Sequence, residues 1–284
     1  MKQITVISGK GGTGKTSVLA SLAYLARGDA IVADCDVDAP DLHLILKPKI
    51  EETCDFMGLQ TAVIDELKCT QCGACQDNCR FDAIRNFQVN FRHCEGCKVC
   101  ALVCPADAVE MVDQISGHAY VSSTKFGTLV HAELIPGQEA SGKLVTMVRE
   151  LAQEVAEREN KDLILIDGSP GVGCPVIASI TGVDLALIMT EPTLSGIHDL
   201  ERVIKVAHHF GVAALVCINK YDLNLEVAQQ IEKICKEMGA EVVGKLPFDP
   251  SVVKAMVAEE AVAERAGPVG DALKSLWDEL KSHL

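Results

Sequence analysis

No run of lysine and arginine occurs anywhere in this chain, and its longest apolar stretches are short and interrupted. The second absence argues against a transmembrane helix. The first, together with a formal net charge of −14, argues against nucleic acid, because an acidic surface repels a polyanion unless a local basic patch intervenes. Anionic membrane surfaces are disfavoured for the same reason. A signal peptide is not expected either: Met1, Lys2 and Gln3 run straight into the short apolar run 4–7, with no small-residue cleavage site behind it. These absences lead to the expectation of a soluble, cytoplasmic protein. Cysteine is what the chain has in excess, with thirteen. A reducing compartment disfavours disulfides, so clustered cysteines point to metal or redox chemistry. Eight of them fall between Cys69 and Cys104, while Cys35, Cys54, Cys174, Cys217 and Cys235 are dispersed and read mostly as small buried residues.

With 284 residues, 48% of them apolar, the chain is long enough for one large α/β core, alone or with a small satellite domain. Apolar strands are expected at 3–8, 31–34, 162–166, 184–190, 213–219 and 241–246. Helical patterns alternate with them at 16–26, 144–157, 196–210, 225–238, 251–260 and 269–283, with Ser141 as a possible cap of the second helix. Such alternation implies an α/β fold with a doubly wound, mostly parallel sheet. The Cys-rich text interrupts it once. The expected organisation is therefore an α/β domain in two parts, 1–62 and 114–284, with a small inserted domain at 63–113.

Gly9-Lys10-Gly11-Gly12-Thr13-Gly14-Lys15-Thr16 matches G-x-x-x-x-G-K-[ST] between a strand and a helix. Glycines let backbone N–H groups turn inward around phosphates, and the following helix adds its positive end. Gly9 to Thr16, with Ser17 next in line, form the expected cofactor-binding loop. Lys15 is expected on the β- and γ-phosphates and Thr16 on Mg²⁺.

The cysteine block reads Cys69-x2-Cys72-x2-Cys75-x3-Cys79, then Cys94-x2-Cys97-x2-Cys100-x3-Cys104-Pro105. This is the spacing of bacterial two-cluster ferredoxins, in which three thiolates of one run share a cubane with the fourth of the other. Cluster I is expected on Cys69, Cys72, Cys75 and Cys104, and cluster II on Cys94, Cys97, Cys100 and Cys79. Structural zinc would need four ligands with longer gaps between pairs. Arg80 stands where a proline commonly follows the fourth cysteine.

The phosphate-loop string, with its early Lys10, resembles the deviant Walker A motif of the MinD/ParA/Mrp and nitrogenase iron-protein group. With the cysteine block, the chain resembles MinD/Mrp-type ATPases carrying a ferredoxin insert, often labelled cobyrinic acid a,c-diamide synthase-like. The resemblance implies an ATP-dependent dimer, homo- or heteromeric, in which Lys10 acts across the interface. It implies that Asp36, with Asp38 as the alternative, positions or activates the attacking water, and that Asp34 supports Mg²⁺ through water. Asp167 falls where a Walker B aspartate belongs, and 168–173 resembles switch II. Lys10, Lys15, Asp36 and Asp167 are thus the expected catalytic set. Asn219-Lys220-Tyr221-Asp222 matches the N-K-x-D pattern in which Asp222 would read guanine. In the MinD-like group, however, an asparagine here contacts adenine, and Pro247-Phe248-Asp249 resembles the other base-side loop. His131-Ala132-Glu133-Leu134 and Glu139-Ala140-Ser141-Gly142-Lys143 also resemble segments of such proteins, with no role beyond a strand and a helix start.

Three functions follow as expectations. One is ATP-gated electron transfer to, or maturation of, a redox partner protein. Another is iron–sulfur carriage of the Mrp type, with Cys174 as ligand to a bridging cluster. The last is MinD-like positioning on a membrane through the amphipathic segment 273–280. The expected cofactors are two [4Fe–4S] clusters, ATP or ADP, and Mg²⁺.

Overall fold

The computed structural model describes residues 1–136 and 141–284. Strand β1 (Lys2–Ser8) is buried at every position after Lys2, which requires an apolar sequence on both faces and marks a central strand. It pairs in parallel with β8 (Leu163–Pro170) on one side and β9 (Leu185–Thr190) on the other. Beyond β8 lies β2 (Ala30–Asp34), and beyond β9 lies β10 (Ala213–Asn219) followed by β11 (Glu241–Leu246), all parallel. The other edge carries two strands that the sequence reading does not announce, β3 (Lys49–Ile64) and β6 (Val109–Thr124), and a third, β7 (Gly127–Leu134), that includes the expected strand at 131–134. The nine-stranded order is β11-β10-β9-β1-β8-β2-β7-β6-β3.

That added edge is partly antiparallel. β7 runs parallel to β2, but only two residues separate β6 from β7, a connection that joins antiparallel strands. Between β3 and β6, Asp55 meets His118, Gln60 meets Asp113, and the Asp65 N–H donates to the Ala108 carbonyl. Numbers rise on one strand as they fall on the other, so this pair is antiparallel too.

Helices cover both faces. Helix α1 (Lys15–Ala26) and α10 (Pro268–Ser282) pack with Ile4, Val6, Val32, Leu165 and Leu187 into one core layer. Helix α5 (Ser141–Arg158) buries Leu144, Val145 and Val148 near β2, next to α6 (Cys174–Ile180), and α7 (Leu194–His209) packs on β9 and β10. Ser141 is the first helical residue, not the cap, because the helix begins three residues earlier than its apolar pattern. Asp167 lies within β8, which continues to Pro170, since parallel pairing extends past the apolar run to Ser8 and Pro170. The apolar side of α10 is spent in the core: Leu273, Leu276, Trp277 and Leu280 are all buried. Among the described residues, no helix is long and apolar enough to cross a membrane.

The chain divides into two compact units. The first comprises Met1–Thr53, Ala119–Glu133 and Ser141–Leu284; the second comprises Cys54–His118 and the described residues from Leu134. The expected insert, 63–113, lies within the longer segment of the second unit. Two four-residue helices, α3 (Ala74–Asp77) and α4 (Val99–Leu102), and a small hairpin, β4 (Ile84–Arg85) with β5 (Gln88–Val89), make up its interior. Its buried apolar cluster is small: Ala62, Cys75, Ile84, Cys100 and Val109. So little buried surface rarely holds a module of this size by itself, and ligands commonly supply the remainder.

Candidate nucleotide site and cysteine pockets

The phosphate loop fills the turn from β1 to α1. Gly14 takes φ +93°, and a Cβ there would stand 2.5 Å from the Asn219 side-chain nitrogen. At Gly9 a Cβ would stand 2.3 Å from Asp199, so both positions need glycine. Lys15 is buried, and its Nζ lies 3.9 Å from Asp36 Oδ2. Asp34 and Asp167 are register partners on neighbouring parallel strands, both buried. The Asp36 N–H donates to Asp34 Oδ1 at 3.1 Å. Burial, opposed by Lys15 and a hydrogen bond from Thr16, pushes Asp167 up to about 7. Burial and the neighbouring Asp167 raise Asp34 well above the usual carboxylate range. Asp36 is also raised, by burial against the pull of Lys15. Among the described residues, Asp167 Oδ1 and Thr13 Oγ1 are buried without a hydrogen-bond partner. Two buried carboxylates beside the Thr16 hydroxyl, one with an orphaned oxygen, suit a divalent cation. Asp38 is exposed.

One cavity gathers most of the expected nucleotide residues: Gly11, Gly12, Gly14, Lys15, Thr16, Ser17, Asp36 and Asn219 all line it. Gly9, Thr13 and Asp167 do not line it, and three more expected residues behave differently. Lys10 is not in the lining; its Nζ rests 3.5 Å from Glu191 Oε2 and 3.4 Å from Ser195 Oγ, while Lys220 holds the other Glu191 oxygen at 2.6 Å. Asn219 donates from Nδ2 to the Thr13 carbonyl at 2.9 Å, so it braces the phosphate loop. Pro247 is not in the lining either; the adjacent Phe248 N–H donates to Asp222 Oδ1 at 2.7 Å, and Asp222 does not line the cavity. Sequence reading missed the apolar wall: Leu246, Val252, Val253 and Met256, the last three on α9 (Ser251–Val257), with Leu273 of α10 behind. The only signal for it was an apolar helix directly after the 247–249 loop, which reads equally well as core packing.

In the second unit, the eight clustered cysteines divide between two small cavities. Cys69, Cys72, Cys75 and Cys104 line the first; Cys79, Cys94, Cys97 and Cys100 line the second. In each, three residues come from one run and the fourth from the other. Cys75 and Cys100 are buried, and burial raises both thiols. Of the dispersed cysteines, Cys35, Cys217 and Cys235 are buried, Cys54 is half-buried, and Cys174 is exposed at the start of α6. His131 is buried in β7 with Nε2 3.0 Å from Ser122 Oγ. Gly137 to Ala140, including Glu139 and Ala140 of the second resembling segment, lie outside the described residues.

A parallel sheet sandwiched by helices, with a glycine loop from the first strand around a phosphate cavity, defines an α/β P-loop nucleoside triphosphatase fold. The CobQ/CobB/MinD/ParA nucleotide binding domain matches residues 4–262, and the chain belongs to that family. The uncharacterized protein MJ0578 of Methanocaldococcus jannaschii is 35% identical over 284 residues, covering 99% of this chain and 97% of the relative. In fold the chain is similar to the cell division ATPase MinD of Pyrococcus furiosus, with a TM-score of 0.61 at 19% identity, covering 100% of this chain and 99% of that one. It is similar also to MinD of Pyrococcus horikoshii complexed with Mg-ADP, with a TM-score of 0.58 at 19% identity, covering 98% and 95%.

Proposed function

We propose that this protein is an ATP-hydrolysing dimer, homomeric or paired with a similar ATPase, that couples its nucleotide state to two [4Fe–4S] clusters. The coupling would serve electron transfer to, or maturation of, a redox partner protein. One observation carries the reading: in a chain with a complete phosphate loop, four cysteines in a crossed three-plus-one set line each of two small cavities. Cys69, Cys72, Cys75 and Cys104 would hold cluster I; Cys94, Cys97, Cys100 and Cys79 would hold cluster II.

The donor set fits such a group. Among the described residues, the group of three or more ligand atoms lying within 4.8 Å of one another is Glu241, Glu279 and His283, and no cysteine trio closes that tightly. A single zinc, with bonds of about 2.3 Å, draws four thiolates to about 3.8 Å apart. A cubane gives each thiolate its own iron and keeps the sulfurs wider. When bound, each cluster supplies a one-electron store.

At the nucleotide, the loop N–H groups and Lys15 bind the β- and γ-phosphates, and Thr16 with Asp167 holds Mg²⁺. Asp36 orients the attacking water and takes its proton, a role that its raised proton affinity supports. Lys10 would leave Glu191 to reach the partner's phosphate. The apolar wall of Leu246, Val252 and Met256, and the commitment of Asp222 to the Phe248 N–H, support adenine over guanine. The Mg-ADP complex of the similar MinD supports Mg²⁺ with nucleotide here.

The test is iron and acid-labile sulfide in anaerobically prepared protein, followed by a redox titration read by EPR with ADP or a non-hydrolysable ATP analogue. A potential that moves with nucleotide supports coupling, whereas identical potentials remove it. Zinc, or no metal, removes the cluster reading.

The exposure of Cys174 favours a second reading, an Mrp-type carrier with a labile cluster bridging the dimer. Cys174→Ser would then lower iron per dimer, and unchanged iron would dismiss it. The family and the similarity to MinD support a third reading, a MinD-like positioning ATPase, although the apolar face of 273–280 is buried in the core and is not free to hold a membrane.

A further inference from the structure

The two halves of the cysteine unit share one spacing, so they can be compared position by position. Their linings agree at depth: Ala108 and Val109 on the first cavity correspond to Ala83 and Ile84 on the second. They disagree at the mouth. Beside exposed Cys72 stands Gly73, whereas beside exposed Cys97 stands Lys98. Pro105 and Ala106 correspond to Arg80 and Phe81. Ala74 and Asp77 of α3 correspond to Val99 and Leu102 of α4. The second mouth therefore presents Phe81 at 44%, Val99 at 37% and Leu102 at 84% exposure, where the first has alanine, alanine and aspartate.

Folding does not explain this difference, because the first half builds the same scaffold without those side chains. One exposed leucine is ordinary, but Phe81 and Val99 line one cavity and Leu102 follows Val99 by three residues on α4, a grouping that marks a contact surface. The rim is charged as well. Arg80 and Lys98 are exposed, and among the described residues neither lies within 4 Å of a carboxylate in an ion pair. Glu95 is the acidic residue of that lining. In a chain of net charge −14, a mouth with two unpaired bases is locally inverted in sign.

We propose that the mouth of the second cysteine cavity is the docking surface for an acidic one-electron carrier protein. This rests on the cluster reading above. Phe81, Val99 and Leu102 form the water-excluding centre, while Arg80 and Lys98 steer an acidic partner. Cys97, exposed beside Lys98, gives a route for the electron. One electron leaves the reduced protein, which is oxidised by one, and the carrier is reduced by one.

The experiment uses the iron-loaded full chain, reduced with dithionite and then freed of it. The probe is an acidic flavodoxin, which takes one electron with one proton from water, and a basic cytochrome c serves as comparison. The flavodoxin rate constant should fall as salt rises, and the cytochrome rate, steered by the net charge of the chain, should not be slowed by Lys98→Glu. Lys98→Glu and, separately, Leu102→Asp should each slow flavodoxin reduction about tenfold at low salt. Asp77→Lys, in the first half, should change it less than twofold. Parental iron content in each variant shows that the sites remain intact. Variants at Lys98 and Leu102 that match the parent, an equal loss in Asp77→Lys, or a flavodoxin rate that rises with salt would each overturn the docking surface alone. An iron-free parent overturns the cluster reading and this surface with it.

Discussion

Replacing Asp167 with asparagine should make the nucleotide-free protein more stable, not less, in alkaline solution. In the fold its carboxyl is pushed up to about 7 by burial, with Asp36 and Asp41 adding to the rise, from an ordinary value near 3.8. An acid whose folded value is raised binds more proton in the folded state. Its stabilising contribution is complete below pH 4 and is lost as pH rises through 7. About three pH units at about 1.4 kcal/mol each make the penalty at pH 8 about 4 kcal/mol. Asparagine cannot ionise, so the variant avoids that penalty and relieves the neighbouring Asp34, while forgoing some attraction to Lys15. Urea unfolding followed by fluorescence isolates the first unit, because Trp277 is the one tryptophan and is buried in α10. In magnesium-free buffer the stability gap should approach about 4 kcal/mol at pH 8 and close toward pH 4. Magnesium with ADP should stabilise the parent strongly and the variant weakly. A variant no more stable than the parent at pH 8, or a gap indifferent to pH, would refute the reading of Asp167 as a carboxylate awaiting a cation.

Three further outcomes are expected. Asn219→Ala removes the bond to the Thr13 carbonyl; a net hydrogen bond of about 1 kcal/mol corresponds to roughly fivefold weaker binding of a fluorescent ADP analogue, and unchanged affinity would deny the bracing role. Cys104→Ser should disturb the EPR signal of the cluster held by the 69–75 cysteines, and Cys79→Ser that of the 94–100 cysteines; a loss confined to the mutated residue's own run would break the crossed assignment. Burial holds His131 down at about 4, so its contribution is present above pH 6.5 and lost as pH falls from 6.5 to 4, about 3 kcal/mol in all. His131→Phe should flatten that limb of the urea-unfolding curve, and an unaltered limb would place its cause elsewhere.

The central strands were legible because each is apolar on both faces, and the spacing between them left room only for helices. β3 and β6 were not legible. Glu51, Glu52 and Asp55 in β3, with Asp113 and Gln114 in β6, interrupt any apolar run, since these strands form an antiparallel sheet edge with solvent on much of their surface. Their length also places the boundary of the second unit at Cys54, several residues before the cysteine text begins. A break in composition marks where ligands start, whereas a break in packing marks where the strand leaves the core.

The site divides along a similar line. The grouping of the cysteines into two cavities is readable because three of each four are local, and the crossed fourth follows the ferredoxin spacing. The phosphate loop is contiguous, and its spacing encodes its geometry. The base side is assembled from β10, β11, α9 and α10, four segments with no shared spacing, so a motif there names neighbours without naming partners. Asn219 shows the consequence. Motif logic sends its amide to adenine, yet Nδ2 finds the Thr13 carbonyl, the nearer acceptor in a partly buried corner. That bond ties the end of β10 to the loop that grips phosphate. A shift of the base-side segments must then be felt at Thr13, and a loop reorganised by phosphate must pull on β10 in return. Asn219→Ala should therefore weaken ATP and ADP alike more than it weakens inorganic triphosphate, which has no base to transmit the strain.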